Sequence, residues 1–149
     1  MTLTKKEERN YIFDMFGGRC AYCGCELKSN WHADHKEPIR RYVRHEYRDG
    51  MPAKKIRTCE NPELDTLENK FPACPSCNIN KHSMGIEDFR AFIAKFIHSL
   101  NERFVIYKVA KKYGLLLETG KSVEFYFETY NKSKPPSRTA KQHAYTAEH

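Results

Sequence analysis

The sequence predicts a mixed α+β fold, and three observations support this prediction. Two Cys-x-x-Cys pairs, Cys20–Cys23 and Cys74–Cys77, lie far apart in the chain. Between them, residues 31–35 alternate between the two sides of an extended chain in the manner of a strand. After them, apolar residues follow the helical i, i+3, i+4, i+7 spacing over residues 87–100. We therefore expect a small sheet that the cysteines join to a helix, followed by further helices.

The first part of the chain is predicted to hold a supporting helix, a strand and a long loop. Thr4 and Glu7 form the Thr-x-x-Glu pattern of a capping box, which opens a helix that continues to about Phe16. The strand at 31–35 follows. Residues 46–66 contain two prolines and many charges, so they predict a long irregular loop of the kind that often carries function.

The rest of the chain is predicted to be helical, with a hairpin near its end. A short helix should follow Cys77, and longer helices should cover about 87–100 and 104–113. Residues 115–117 and 123–128 are predicted to form the two strands of a short C-terminal hairpin. The basic segment from 131 to 149 has the composition of a disordered tail.

The chain length of 149 residues suits one domain. We assign that domain to residues 1–130, with a core at about 18–85 and a helical and hairpin extension at 86–130. No apolar run approaches the roughly 18 residues of a membrane helix, and the charged N-terminus does not resemble a signal peptide. The expected location is the cytoplasm, with no membrane partner.

In a reducing compartment, six cysteines point to metal ligands in place of disulfides. Four thiolates in two Cys-x-x-Cys pairs suit a closed tetrahedral zinc site that stabilises a small fold. Cys25 forms a competing pair with Cys23, but the x-x spacing favours the first pair, so Cys25 and Cys59 are expected to be free thiols. The predicted structural zinc ligands are Cys20, Cys23, Cys74 and Cys77.

Further polar residues stand at fixed places around the two cysteine pairs. In chain order the pattern consists of Cys20, Cys23, Ala33, Asp34, His35, Asn69, Cys74, Cys77, Asn78 and His82. From about residue 18 to 82 this pattern resembles the HNH endonucleases, whose active site is a ββα-metal finger. The resemblance implies a zinc-braced ββα-metal finger and a small phage- or mobile-element-associated enzyme that hydrolyses DNA phosphodiester bonds in the cytoplasm of a bacterial or phage-infected cell.

The resemblance also assigns roles to four residues. His35 is the expected general base, since imidazole titrates near neutral pH and can deprotonate a water. Asp34, on the opposite face of the strand, is the expected first ligand of one catalytic divalent cation, Mg²⁺ or Mn²⁺. Asn78 and His82 are the other expected ligands, because residues four apart share one face of a helix. Some family members bind the metal through the Asp and the Asn alone, and His82 is then a helix-capping or phosphate-contacting residue.

Two more residues have both a functional and an ordinary interpretation. Asn69 resembles the middle residue of the family motif, which holds the catalytic histidine by fixing its other ring nitrogen. Asn is also common in turns, and the sequence does not separate these two roles. Lys81 is a candidate phosphate contact or an ordinary solvated lysine.

The charge of the chain fits a polyanionic partner. The formal net charge is +7, from 26 Lys and Arg against 19 Asp and Glu. A zinc site with four thiolates adds 2 − 4 = −2, which leaves about +5. The predicted nucleic-acid contacts, with double-stranded DNA as the expected partner, are Arg40, Arg41, Arg44, Arg48, Lys54, Lys55, Arg57 and Lys81. Without a cleavage site beside it, the segment would be a solvated basic loop.

Two other functions stay open at the level of the sequence. A catalytically silent zinc module that binds nucleic acid needs the cysteines and the basic segment, but not the Asp34, His35 and Asn78 set. The same fold also serves in junction resolvases, restriction enzymes and packaging nucleases. The sequence predicts neither the target nor the oligomeric state.

Overall fold

The computed structural model describes residues 3–131, and over this range the chain is mixed α+β with two small antiparallel sheets. The helices are α1 (Lys5–Asp14), α2 (Pro75–Lys81), α3 (Ile86–Ala94), α4 (Phe96–Arg103), α5 (Val105–Lys112) and α6 (Tyr126–Thr129). The strands are β1 (His32–His35), β2 (Arg40–Arg48), β3 (Met51–Glu60) and β4 (Lys70–Ala73), and a 3-10 turn covers Pro62–Leu64. Apart from Asn131, the predicted tail lies outside the described residues.

Helix α1 begins at the capping box that the sequence predicts. The backbone N–H of Glu7 donates to the Thr4 hydroxyl, and the Glu7 carboxylate accepts from the Thr4 backbone N–H at 2.7 Å. The helix ends at Asp14, two residues earlier than predicted. Ile12 on its inner face enters the core, and the Arg9 guanidinium lies 4.0 Å from the centre of the Trp31 ring. The helix thus supports the segment that leads into β1.

The core of the molecule is small and largely aromatic. The Tyr22 ring lies 5.5 Å from the rings of Phe89 and Phe125, in edge-to-face contact with each. Backbone bonds from Tyr126 and Phe127 to the 21–22 segment bring the end of the described chain onto the first cysteine pair. Edge-to-face contact between rings stabilises an aromatic pair beyond the contribution of its buried area. The helical extension is therefore attached through these rings to the segment that carries the first cysteine pair.

The sheet of β1 and β4 brings the two cysteine pairs together. The strands pair antiparallel, with His32 opposite Ala73 and His35 opposite Lys70. The chain leaves β4 directly into Cys74, which accepts a hydrogen bond from Cys77 as the N-cap of α2. The predicted strand is confirmed as β1. The predicted helix is confirmed as α2, but it begins at Pro75, inside the second cysteine pair, and ends one residue before His82.

Strands β2 and β3 form a long antiparallel ribbon where the sequence predicts an irregular loop at 46–66. The register runs from Arg40 opposite Glu60 to Arg48 opposite Met51, with an irregularity after Glu46. Every residue of β2 is exposed, so neither face shows the apolar alternation by which a strand is recognised. The loop prediction was wrong for this reason, and most of the predicted DNA-contacting residues lie on this ribbon.

The C-terminal extension also differs from its prediction. The helix predicted over 87–100 is two helices, α3 and α4, that meet at Lys95, where neither glycine nor proline marks the break. Helix α5 agrees with its prediction within one residue at each end. The predicted C-terminal hairpin is wrong, because residues 115–125 form no strand and α6 follows. The apolar alternation there places Phe125 and Phe127 against core rings instead of against a partner strand. No helix within residues 3–131 has the length and apolar character needed to cross a membrane.

Candidate functional site

The four predicted zinc-binding cysteines meet between the start of α2 and the loop after α1. The Sγ atoms of Cys20, Cys23, Cys74 and Cys77 all lie within 4.8 Å of one another. Cys23 Sγ and Cys74 Sγ are 3.8 Å apart. Zinc–sulfur bonds of about 2.3 Å in a tetrahedron separate neighbouring sulfurs by about 3.8 Å. The cluster is therefore compatible with a structural zinc ion.

The electrostatics of the cluster also suit a cation. A hydrogen bond with Cys23 lowers the pKa of Cys20, and the hydrogen bond with Cys20 raises the pKa of Cys77 well above its usual range. Thiols this close therefore share protons unless a cation neutralises their charge. Cys25 and Cys59 are free thiols, as predicted. Cys59 lies outside the cluster, whereas the Cys25 thiol lies beside it and hydrogen-bonds with Cys23 and Cys74.

His35 is held by an aspartate that sequence reasoning missed. Its Nε2 lies 2.9 Å from Asp65 Oδ1, and its side chain is 15% exposed. Arg41 and Lys70 contact the same carboxylate at 3.1 and 2.9 Å. The hydrogen bond with His35, followed by that with Lys70, holds the pKa of Asp65 well below its usual range, so this carboxylate is ionised at neutral pH. With Nε2 engaged, Nδ1 is the ring nitrogen that can face a water.

Asp34 is buried beside a tyrosine and a lysine. The Tyr22 hydroxyl donates to Asp34 Oδ2, and Lys81 Nζ lies 3.1 Å from the same oxygen. Burial raises the pKa of Tyr22, which therefore stays protonated as a donor. Burial also raises the pKa of Asp34, while the Lys81 charge opposes that rise. Both contacts fall on Oδ2, which leaves Oδ1 as the oxygen that could address a cation.

Lys81 does not have the phosphate-binding role predicted for it. Its side chain is fully buried, and its ammonium donates to the backbone carbonyl of His35 at 2.6 Å in addition to its pairing with Asp34. A buried ammonium with these partners cannot reach a DNA backbone. The lysine instead joins α2 to Asp34 and His35, and the sequence alone did not reveal that its side chain is buried.

Replacing Lys81 with methionine is expected to destabilise the fold by roughly 3–5 kcal/mol, because it leaves the buried Asp34 charge without its partner. Urea unfolding of the zinc-loaded protein measures the change. Lys6→Met, at an exposed position of α1, is the control and should stay within about 0.5 kcal/mol of the parent. The double variant Asp34→Asn, Lys81→Met should recover much of the loss. A Lys81→Met protein as stable as the Lys6→Met control would contradict this role.

Asn69 holds the backbone next to His35, not its ring. The Asn69 side chain accepts from the Glu37 backbone N–H at 3.0 Å and donates to the carbonyls of Glu37 and Leu64, each at 2.9 Å. The backbone N–H of Lys36 also donates to the Asn69 carbonyl. The expectation that Asn69 fixes the second ring nitrogen was wrong, since Asp65 occupies that position. Asn69 instead ties the end of β1 to the loop that carries Asp65.

Asn78 and His82 line one open groove, but not as two residues of one helix. His82 lies just beyond α2 with φ 50° and ψ −122°, and the Met84 N–H donates to the Lys81 carbonyl. These angles and this bond define a type II′ turn, whose first central position favours glycine. The groove of about 730 Å³ lies between the end of α2 and the base of the ribbon and is bordered by Arg40, Arg41, Tyr42, Glu60, Asn78 and His82.

The placement of Asp34, Asn78 and His82 around a catalytic cation stays a prediction. Among the residues that the structure describes, the four cysteines are the one group of three or more Cys, His, Asp or Glu side chains close enough to hold a metal. The His82 ring contacts the Ser83 hydroxyl at 3.0 Å. No family model, curated protein or solved structure matches the chain.

Proposed function

We propose that the chain is a metal-dependent endonuclease of the HNH type that hydrolyses DNA phosphodiester bonds. The observation that carries the proposal is the hydrogen bond between the His35 ring and Asp65. His35 directly follows the buried Asp34 in β1. This bond orients the His35 imidazole and leaves its Nδ1 free. Asp34 is the neighbouring carboxylate, and the cations Arg41 and Lys70 contact Asp65. The four-cysteine cluster and α2, which follow the order of the HNH motif, support the same proposal.

In this proposal, His35 acts as the general base through Nδ1. It takes a proton from a water whose oxygen forms a bond to phosphorus, while the bond from phosphorus to the 3′ oxygen breaks. The 3′ oxygen takes a proton from solvent, so the products carry a 5′-phosphate and a 3′-hydroxyl. Asp65 stabilises the imidazolium that forms, and Asn69 keeps the backbone on which His35 stands in place. Lys81 pairs with Asp34 and donates to the His35 carbonyl, and these two contacts keep both residues in position.

The residues that would hold the catalytic cation are Asp34 and Asn78, with His82 as a third ligand. Asn78 precedes Lys81 by three residues in α2, so it lies on the side of the helix that faces Asp34. A carboxylate and an amide oxygen are enough for Mg²⁺ or Mn²⁺, which keep several waters and bind substrate phosphate. When bound, such a cation neutralises charge on the phosphate and the leaving oxygen.

Incubation of the full-length protein with supercoiled plasmid tests the proposal. Nicked or linear product is expected with Mg²⁺ or Mn²⁺, and none with EDTA after brief exposure that leaves the zinc in place. Zinc content should be measured in each sample, since zinc loss would stop cleavage for a different reason. A folded, zinc-loaded chain that leaves the plasmid intact with either cation would refute the proposal.

A second function, a silent zinc module that binds nucleic acid, is favoured by one observation. One Asp34 oxygen already has two buried partners, so the carboxylate has a structural task without any catalytic cation. Such a module would bind DNA and leave the plasmid uncut. The plasmid experiment therefore separates the two functions.

His82 occupies a turn position that costs stability, which suggests that its imidazole is kept for function. His82→Gly should relieve the strained φ of 50° and raise stability by about 1 kcal/mol, whereas His82→Ala should not. The plasmid-cleavage rate should fall to the same extent in both variants, because both lack the imidazole. Urea unfolding and initial cleavage rates measure the two effects. If either variant cleaved at the parental rate, His82 would be excluded as a ligand.

A further inference from the structure

The β2–β3 ribbon has two faces that differ in charge. Side chains alternate along each strand, and directly paired residues share a face. Over residues 40–46 and 54–60, the odd-numbered residues form one face and the even-numbered residues the other. The charged residues of the odd face are Arg41, Lys55 and Arg57. Those of the even face are Arg40, Arg44, Lys54, Glu46 and Glu60.

The even face balances much of its charge across the strands, and the odd face does not. Glu60 stands opposite Arg40, and Glu46 stands opposite Lys54. On the odd face, Lys55 is opposite His45 and has no carboxylate beside it in the ribbon. Arg41 is paired with Asp65 outside the ribbon, but Lys55 and Arg57 have no carboxylate opposite them. These two cations repel one another on an exposed face, and a polyanion laid along that face would relieve the repulsion.

The odd face is continuous with the candidate general base. Arg41 begins this face, and its guanidinium donates to Asp65 Oδ2 at 3.1 Å. The other oxygen of the same carboxylate holds the His35 ring at 2.9 Å. A polyanion that follows the odd face therefore passes beside His35 at the base of the ribbon.

The shape of the ribbon fits duplex DNA. A nine-residue strand spans roughly 30 Å at about 3.3 Å per residue, and the major groove, about 12 Å wide, admits a two-stranded ribbon. Every residue of β2 is exposed, and an isolated two-stranded ribbon is at best marginally stable in water. A groove that surrounds the ribbon would supply the contacts that the protein itself does not.

We propose that the ribbon enters the major groove of double-stranded DNA with its odd face toward the DNA, so that Lys55 and Arg57 make the principal contacts. Single-stranded DNA has no groove to hold the ribbon and is a poor ligand. This inference rests on the proposed function for its choice of nucleic acid as the partner. It adds the duplex form and the face of the ribbon that binds it.

Two charge-reversal variants of the cleavage-impaired His35→Ala protein test the choice of face. The odd-face variant carries Lys55→Glu and Arg57→Glu. The control carries Arg44→Glu, on the even face, and Arg48→Glu, which follows the same alternation along β2 beyond the irregularity. Neither pair places a new glutamate opposite an existing carboxylate, because the partners are His45, Val43, Ile56 and Met51.

Fluorescence anisotropy with a labelled 20-base-pair duplex measures the affinity of each variant. The odd-face variant should bind at least ~100-fold more weakly, and its dependence of log K on log salt should flatten by about 1.8, at roughly 0.9 for each lost phosphate contact. The control should lose less than ~10-fold. Equal losses in the two variants would overturn the choice of face. Zinc content and circular dichroism confirm that each variant is folded.

Three further probes test the groove. The duplex should bind at least ~10-fold more tightly than either of its single strands. Glucosylated hydroxymethylcytosine, which fills the major groove, should weaken binding, whereas netropsin in the minor groove should not. Equal affinity for duplex and single strand, or displacement by netropsin alone, would overturn the inference. Binding is measured without cleavage, so a failed hydrolase proposal and a failed ribbon proposal give different results.

Discussion

Replacing Cys74 with serine is expected to leave a chain that does not fold. The energy of binding a structural zinc is also folding energy, on the order of 10 kcal/mol, which equals the whole stability of a typical small domain. The aromatic core around Tyr22 is small and cannot replace that contribution. Serine can still cap α2 as Cys74 does, so the loss reports on the metal and not on the helix N-terminus.

The matched control is Cys59→Ser, which changes a thiol outside the cluster. It should retain one zinc per chain and a cooperative unfolding transition. Zinc content by atomic spectroscopy and chemical-shift dispersion by NMR distinguish the variants. A folded, metal-free Cys74→Ser protein would show that these four cysteines do not hold a zinc ion on which the fold depends.

His35→Ala is expected to slow plasmid cleavage by about 10²- to 10⁴-fold, the usual effect of removing a general base. The imidazole is bonded at Nε2 to Asp65, while the backbone of His35 is held by Lys81. Removing the ring should therefore disturb catalysis more than folding. Zinc content and duplex affinity should stay near those of the parent.

His98→Ala is the control for this change, because His98 lies exposed on α4, outside the site. It should cleave at the parental rate. Single-turnover rates at saturating DNA separate the chemical step from binding. Wild-type turnover by His35→Ala would remove His35 from the mechanism and favour the silent module.

The sequence predicted the parts of the molecule that local patterns determine. The Cys-x-x-Cys spacing predicted that Cys20, Cys23, Cys74 and Cys77 form one cluster, because such pairs are typical of compact metal-binding turns. The Thr4 capping box was equally readable, since its two hydrogen bonds are local.

The prediction failed where the deciding contact is distant in the chain or has no apolar pattern. Asp65 stands 30 residues after His35, and no spacing rule links a carboxylate in a loop to that ring. Lys81 is buried because it pairs with Asp34, which is distant in the chain. The polar residues next to Lys81 in the sequence do not indicate this pairing. The ribbon carries polar residues on both faces, so the period-two signal of a strand was missing.

Cleavage of plasmid in ¹⁸O-labelled water with Mg²⁺ tests the central claim, that the chain hydrolyses DNA by attack of a water on phosphorus with loss of the 3′ oxygen. The expected product has one ¹⁸O atom in the new 5′-phosphate and an unlabelled 3′-hydroxyl, and DNA ligase reseals its nicks without prior kinase treatment. Mass spectrometry of the ends reads the label directly. A product with a 3′-phosphate, an unlabelled 5′-phosphate, or no product from a folded zinc-loaded chain would contradict the claim.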